Sequence, residues 1–166
     1  MNVSSLTAYA AFVGIDWADR QHDICLQVAG SDPREFRVLP HRPERSAQWA
    51  QVLRQRFEGR PIAVCLELRQ GPLVYALQPY DFLVLFAVNP TTLAKYREAF
   101  CLSDAKDDPP AAELALELLM TYRDKLTALH PQSAAMRALQ RLVEQRRTLV
   151  ADKVRLTNRL TDALKP

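Results

Sequence analysis

The sequence lacks the features that define membrane, secreted and repeat proteins. It has no apolar run of the roughly 18 residues that a transmembrane helix needs. The N-terminal segment MNVSSLTAYAAFVGIDWADR has no basic stretch followed by a clean apolar stretch, which argues against a secretory signal. No internal repeat or low-complexity segment is present. We therefore expect a cytoplasmic, globular protein with no membrane partner.

Cysteine is too scarce and too scattered for a disulfide framework or a zinc site. The three cysteines, Cys25, Cys65 and Cys101, are odd in number and have no CxxC spacing. Two of them lie in apolar, strand-like runs, where a reduced thiol behaves as a small hydrophobic group. We expect core thiols. The remaining composition, 48% hydrophobic and 25% charged over 166 residues, is typical of one hydrophobic core with an appended element.

Charge is distributed unevenly along the chain. The net charge is +3, but residues 132–166 contain eight basic and three acidic residues, a net charge of +5. Residues 1–131 therefore have a net charge of −2. The basic C-terminal segment is where we expect a polyanion such as nucleic acid to bind.

The periodicity of apolar residues predicts an α/β domain over residues 10–130. Three strands with short turns between them are followed by helix, strand, helix, strand and helix. This order predicts a mixed sheet with flanking helices, and it is the order used by ribonuclease-H-like folds. The predicted strands cover 11–16, 22–29, 35–39, 62–67 and 82–88, and the predicted helices cover 43–58, 71–78 and 89–100, with more helix from 113 onward.

Residues 132–166 are predicted to form a separate, basic, amphipathic helix. Leu142, Leu149, Leu156 and Ala163 are spaced seven residues apart within a longer apolar stripe. An isolated helix of this length must bury such a stripe, so we expect a coiled coil between chains or a long hairpin whose partner is missing. Its arginines are candidate phosphate contacts, although a solvated basic face is the alternative. The candidates are Arg146, Arg147, Arg155 and Arg159.

Three acidic residues are candidates for one metal site. Asp16 ends the first predicted strand, Glu67 ends a strand predicted to lie beside it, and Asp108 lies in the acidic segment DAKDDPP. Carboxylates brought together repel one another unless a cation lies among them, and oxygen ligands favour Mg²⁺ or Mn²⁺. Two such ions can catalyse phosphodiester displacement. The residue types alone leave open a helix cap, a solvated strand end and a polar loop.

Five stretches of the chain together resemble a known family. GIDWADRQHDICL, CLELRQGPLVYAL, FLVLFAVNPTTLAKYREAF, SDAKDDPPAAELALELL and LVEQRRTLVADKVRLTNRLTDALK are similar to the N-terminal part of the DEDD transposases of insertion-sequence family 110, which are related to the Piv invertases. The resemblance implies a RuvC-like domain that takes part in DNA recombination during transposition in a bacterium or archaeon. It also implies Mg²⁺ as cofactor, DNA as partner and a guide-type structured RNA.

The resemblance assigns residues and also reveals two departures. Family ligands occur in the order Asp, Glu, Asp, Asp, which correspond here to Asp16, Glu67 and Asp108, while Ala111 occupies the fourth position. Lys106, near the third acid, is a further candidate for contact with nucleic acid. The family continues into a C-terminal domain with a nucleophilic serine, and the resemblance leads us to expect that this sequence ends within the linking coiled coil. We expect impaired catalysis, the alternative being a non-catalytic nucleic-acid-binding and dimerisation module.

Overall fold

The computed structural model describes residues 9–67, 69, 71–100, 110–130 and 133–165. The chain divides into two compact units, the first ending at Leu129 and the second beginning at His130. In the described ranges, no helix is both long enough and apolar enough to cross a membrane.

The first unit contains a five-stranded mixed sheet. Its strand order is β3-β2-β1-β4-β5. β1 pairs with β2 and β2 with β3 in antiparallel fashion, whereas β1 pairs with β4 and β4 with β5 in parallel. This arrangement confirms the predicted mixed α/β class. The strands are β1 (Ala11–Asp16), β2 (Gln21–Val28), β3 (Arg34–Pro40), β4 (Ile62–Leu66) and β5 (Leu83–Ala87).

Helices cover both faces of this sheet. One face packs against α1 and α2, through core residues that include Trp49, Leu53 and Leu73. The other face packs against α4 and, through Leu93, against α3. β1 and β4 are therefore buried on both sides, which explains why their sequences are almost continuously apolar. The helices are α1 (Pro43–Arg56), α2 (Pro72–Leu77), α3 (Pro90–Phe100) and α4 (Ala111–Tyr122).

Helix α4 packs very closely on β1. A Cβ atom at Gly14 would lie 2.0 Å from the carbonyl oxygen of Ala112 and 2.5 Å from the amide nitrogen of Leu116. The guanidinium of Arg123, just after α4, lies 5.3 Å from the ring centroid of Tyr9, just before β1. Helix and strand therefore run in opposite directions, and the N-terminus of α4 lies toward the end of β1.

The second unit is built around α5 (Ala134–Ala163), a single helix of 30 residues. Ser133 caps its start, because the Ser133 hydroxyl accepts a hydrogen bond from the Met136 amide at 3.1 Å. The structure thus shows the long helix that the periodicity predicts. Its apolar stripe is exposed, with Leu142 at 62%, Leu149 at 69% and Leu160 at 65% of full exposure.

Candidate metal-binding edge of the sheet

Asp16 and Glu67 lie next to each other at one edge of the sheet. In the parallel pairing of β1 with β4, Gly14 is opposite Cys65 and Ile15 is opposite Leu66. Asp16 ends β1 and Glu67 follows β4 directly, so the two residues occupy the next position of the same register. Because side chains alternate along a strand, both carboxylates lie on the face that α4 covers. The predicted proximity of these two acids is therefore observed.

The environment of Asp16 disfavours its charged form. Burial raises the pKa of Asp16 above its ordinary value, and the negative charge of Asp23 raises it further. Asp23 is the cross-strand partner of Asp16 in the pairing of β1 with β2. The positive charge of Arg97, on α3, acts in the opposite direction.

Glu67 experiences the same combination of effects. Burial raises the pKa of Glu67, the charge of Asp16 raises it further, and Arg97 opposes both. The two carboxylates therefore repel each other while one arginine partly compensates them. A cation between them would relieve this repulsion, and the donor set of carboxylate oxygens suits a hard divalent ion such as Mg²⁺ or Mn²⁺.

The other predicted ligands are placed only in part. Asp108 and Lys106 lie outside the described residues. Ala111 is the first residue of α4, and Pro110 before it has an extended backbone with ψ 146°. The position that the family resemblance assigns to the fourth ligand therefore lies at the helix N-terminus that faces the end of β1. Within the described ranges, no three His, Cys, Asp or Glu side chains gather closely enough to hold a metal ion.

The predicted nucleic-acid contacts on α5 fall into two groups. Arg147 donates to Glu144 at 2.9 Å, and Arg155 forms an ion pair with Asp152, so both are engaged along the helix surface. Arg146 and Arg159 form no ion pair with any residue that the structure describes. All of these arginines are exposed.

A buried aromatic cluster beside the site was not foreseen. His22 is fully buried, and its Nε2 lies 2.9 Å from Nδ1 of His41. The amide of Ala18 donates to His22 Nδ1 at 3.4 Å, so His22 Nε2 carries the proton and donates to His41. Trp17 stacks on His22 with 6.5 Å between ring centroids. Trp17 therefore packs against His22 and the hydrophobic core.

Two charged neighbours of the site were also missed. Asp23 could have been found from the predicted hairpin, because pairing the ends of β1 and β2 places it opposite Asp16. Arg97 gives no comparable signal in the sequence, since its position depends on how α3 packs after β5. Arg97 is the one cation that acts on both Asp16 and Glu67 in the described part of the chain.

The strand order and the carboxylates at the ends of β1 and β4 are consistent with the ribonuclease-H-like class of α/β domains. Residues 13–166 match the sequence profile of the DEDD transposases of insertion sequence IS110, described as transposase, and the chain belongs to this family.

Two relatives support this assignment. The chain is 31% identical over 160 residues to a protein of Sinorhizobium fredii that is named as a transposase, y4uE. The match covers 92% of this chain and 43% of that protein. It is also 28% identical over 159 residues to a protein of Streptomyces coelicolor that is named as the mini-circle transposase for IS117. That match covers 93% of this chain and 37% of the other protein. The chain thus spans about two fifths of the length of these relatives.

Proposed function

We propose that this chain is the RuvC-like, acidic N-terminal part of an insertion-sequence transposase that acts on DNA through metal-dependent phosphodiester chemistry. The adjacency of Asp16 and Glu67 at the ends of two parallel strands supports this proposal most strongly. Strand ends hold the backbone rigidly while the side chains reach solvent, which is what metal ligands require. Because the cell's DNA is its substrate, we place the protein in the bacterial cytoplasm, where a structured guide RNA can also reach it.

The residues of the site have separable tasks. Asp16 and Glu67 would hold Mg²⁺ or Mn²⁺, with Asp108 as the third ligand. Such ions supply stabilisation of the attacking and leaving oxygens of a phosphodiester. Arg97 lowers the pKa of both described carboxylates, so it helps to keep them ionised and ready to bind a cation.

Ala111 supports the proposal that metal binding is weakened in this chain. It has no ligand atom, and it occupies the N-terminus of α4, which faces the end of β1. An aspartate at this position would add a carboxylate at a helix N-terminus, where negative charge is favoured. Ala111→Asp should therefore strengthen cation binding without disturbing the buried face of α4.

Calorimetric titration of the purified chain with Mn²⁺ and Mg²⁺ tests the metal site. We expect binding in the millimolar range for the natural sequence and loss of binding in Asp16→Asn. In Ala111→Asp we expect an affinity about tenfold higher, which is a gain of about 1.4 kcal/mol in binding free energy. Asp19→Asn is the matched control because it removes the same charge from an exposed turn nearby. If Asp16→Asn binds as the control does, the metal site is refuted.

A second candidate function is supported by the surface of α5. Its exposed leucine stripe and its arginines suit a non-catalytic module that pairs with another copy of the chain as a coiled coil and contacts phosphates. In this case DNA or RNA binding should depend on salt, be unaffected by Asp16→Asn, and weaken when Arg146, Arg147, Arg155 and Arg159 are neutralised. Light scattering tests the pairing: a monomer at tens of micromolar would exclude it.

A further inference from the structure

Arginines gather on the side of the first unit formed by β3 and α1. Residues 34–60 contain seven arginines and three glutamates, although residues 1–131 as a whole have a net charge of −2. β3 is an edge strand of the sheet, and α1 follows it directly. This segment is therefore locally basic within an otherwise acidic unit, although Arg34 pairs with Glu113 and Glu117 of α4 and Arg56 pairs with Glu35.

A groove of about 370 Å³ lies between β3 and α1. Arg37 and Arg45 are on its walls, and the Arg45 guanidinium donates to Gln48 at 3.0 Å. Its apolar surface comes from Leu39, Trp49 and Val52. No acidic side chain lines this groove in the described part of the chain.

Glu35 lines a smaller neighbouring cavity together with Arg37 and Arg56. There it accepts from the Arg56 guanidinium at 2.7 Å, and this pairing lowers the pKa of Glu35. Its charge is thus compensated locally. The groove itself presents two exposed guanidinium groups beside an apolar floor, and its described lining contains no anionic side chain.

We infer that this groove binds an unpaired nucleic-acid strand, with a base against the apolar floor and phosphates on Arg37 and Arg45. Guanidinium groups bind phosphates in bidentate fashion, and bases pack on apolar and aromatic surfaces without regard to sequence. The volume suits one ligand-sized group at a time and not a double helix. The site is distinct from the carboxylates, because Ile24 and Trp49 lie on the face of the sheet opposite α4.

The groove ends near the edge that bears the carboxylates. Pro40, which lines the groove, pairs with Gln21, and Asp23, two residues along β2, pairs with Asp16. Strands lie about 4.8 Å apart and successive residues about 3.4 Å apart along a strand, so the end of β3 is about 12 Å from the end of β1. A strand held in the groove would therefore leave it close to the candidate metal site.

Fluorescence anisotropy of labelled oligouridylate and oligothymidylate tests the inference on the full chain. EDTA in the buffer excludes any contribution from the metal site, so this test does not depend on the proposed chemistry. We expect Arg37→Gln/Arg45→Gln to weaken binding at least tenfold and to reduce the salt slope by about 1.4, since each single-strand phosphate contact contributes about 0.7. Tighter binding of one oligonucleotide identifies RNA or DNA as the occupant.

Matched controls separate the groove from general charge. Arg54→Gln/Arg60→Gln removes the same charge from outside the groove and should change the affinity less than twofold. Val52→Asp should weaken binding several-fold, whereas Gln51→Asp, its neighbour on α1, should not. Melting temperatures of all variants verify folding.

Photo-crosslinking with 4-thiouridine locates the bound strand. Crosslinks within residues 37–52 would support the groove, and crosslinks found only within α5 would overturn it. Equal losses in the groove variants and their controls would also overturn the inference, as would binding of a protein partner that oligonucleotides fail to displace.

Discussion

Replacing Gly14 by alanine should destabilise the first unit by displacing α4. The added Cβ would lie 2.0 Å from a backbone oxygen, whereas real Cβ contacts stay beyond 3.0 Å, so the helix must move by about 1 Å. Overpacking of this kind costs about 1–3 kcal/mol, and the upper end applies because the contacts are with backbone and not with a flexible side chain. At about 4 °C per kcal/mol for a unit of this size, the melting temperature should fall by about 12 °C.

Thermal unfolding followed by circular dichroism measures this change. Gly30→Ala is the control: no atom lies within 4 Å of its added Cβ, but its φ of 76° makes alanine unfavourable by about 1 kcal/mol. Gly14→Ala should also weaken Mn²⁺ binding, because it moves the helix N-terminus that faces Asp16. A melting temperature that falls no further than that of Gly30→Ala would refute the close packing of α4 on β1.

Three further predictions follow from the charges and packing of the first unit. Because the pKa values of Asp16 and Glu67 are raised in the folded chain, their contribution to stability is full below their ordinary values of 3.8 and 4.5 and is lost as pH rises through the folded-state values; metal-free Asp16→Asn should therefore resist urea better than the natural chain at pH 7 but not at pH 3. Burial raises the pKa of Cys65 to about 12, so this thiol should react with Ellman's reagent only after unfolding. Arg34→Ala removes the ion pairs with Glu113 and Glu117 of α4, and urea titration should show a loss of about 1 kcal/mol that Arg37→Ala does not reproduce.

Most of the sheet could be predicted because burial on two faces leaves a clear pattern in the sequence. The predicted strands agree with β1 to β5 within one residue at each end. The adjacency of Asp16 and Glu67 also followed, because the ends of neighbouring parallel strands meet at one edge of a sheet.

Features that depend on contacts between distant elements could not be predicted. His22 and His41 are 19 residues apart and meet only because β2 pairs with β3. Arg97 reaches the site through the packing of α3. The groove between β3 and α1 depends on how far the helix lies from the strand, which no periodicity specifies.

The start of α4 shows a different limit. Helical periodicity indicates a helix from Glu113, whereas the helix begins at Ala111, directly after the extended residue Pro110. Proline restricts the backbone of its neighbours, so the apolar pattern alone does not locate this boundary. The helix therefore begins at the very position that the family resemblance assigns to the fourth ligand.

The residues of β4 that face α4 are small, and this asymmetry protects the register of the strand. Gly14, Ala63 and Cys65 lie on the α4 face, while Val64 and Leu66 lie on the opposite face with the larger core side chains. A slip of β4 by one residue would drive bulky side chains into the space that α4 occupies and turn the carboxylate at its end to the other side of the sheet. The alternation of small and large side chains along β4 thus favours the register that keeps the two acids on one face of the sheet.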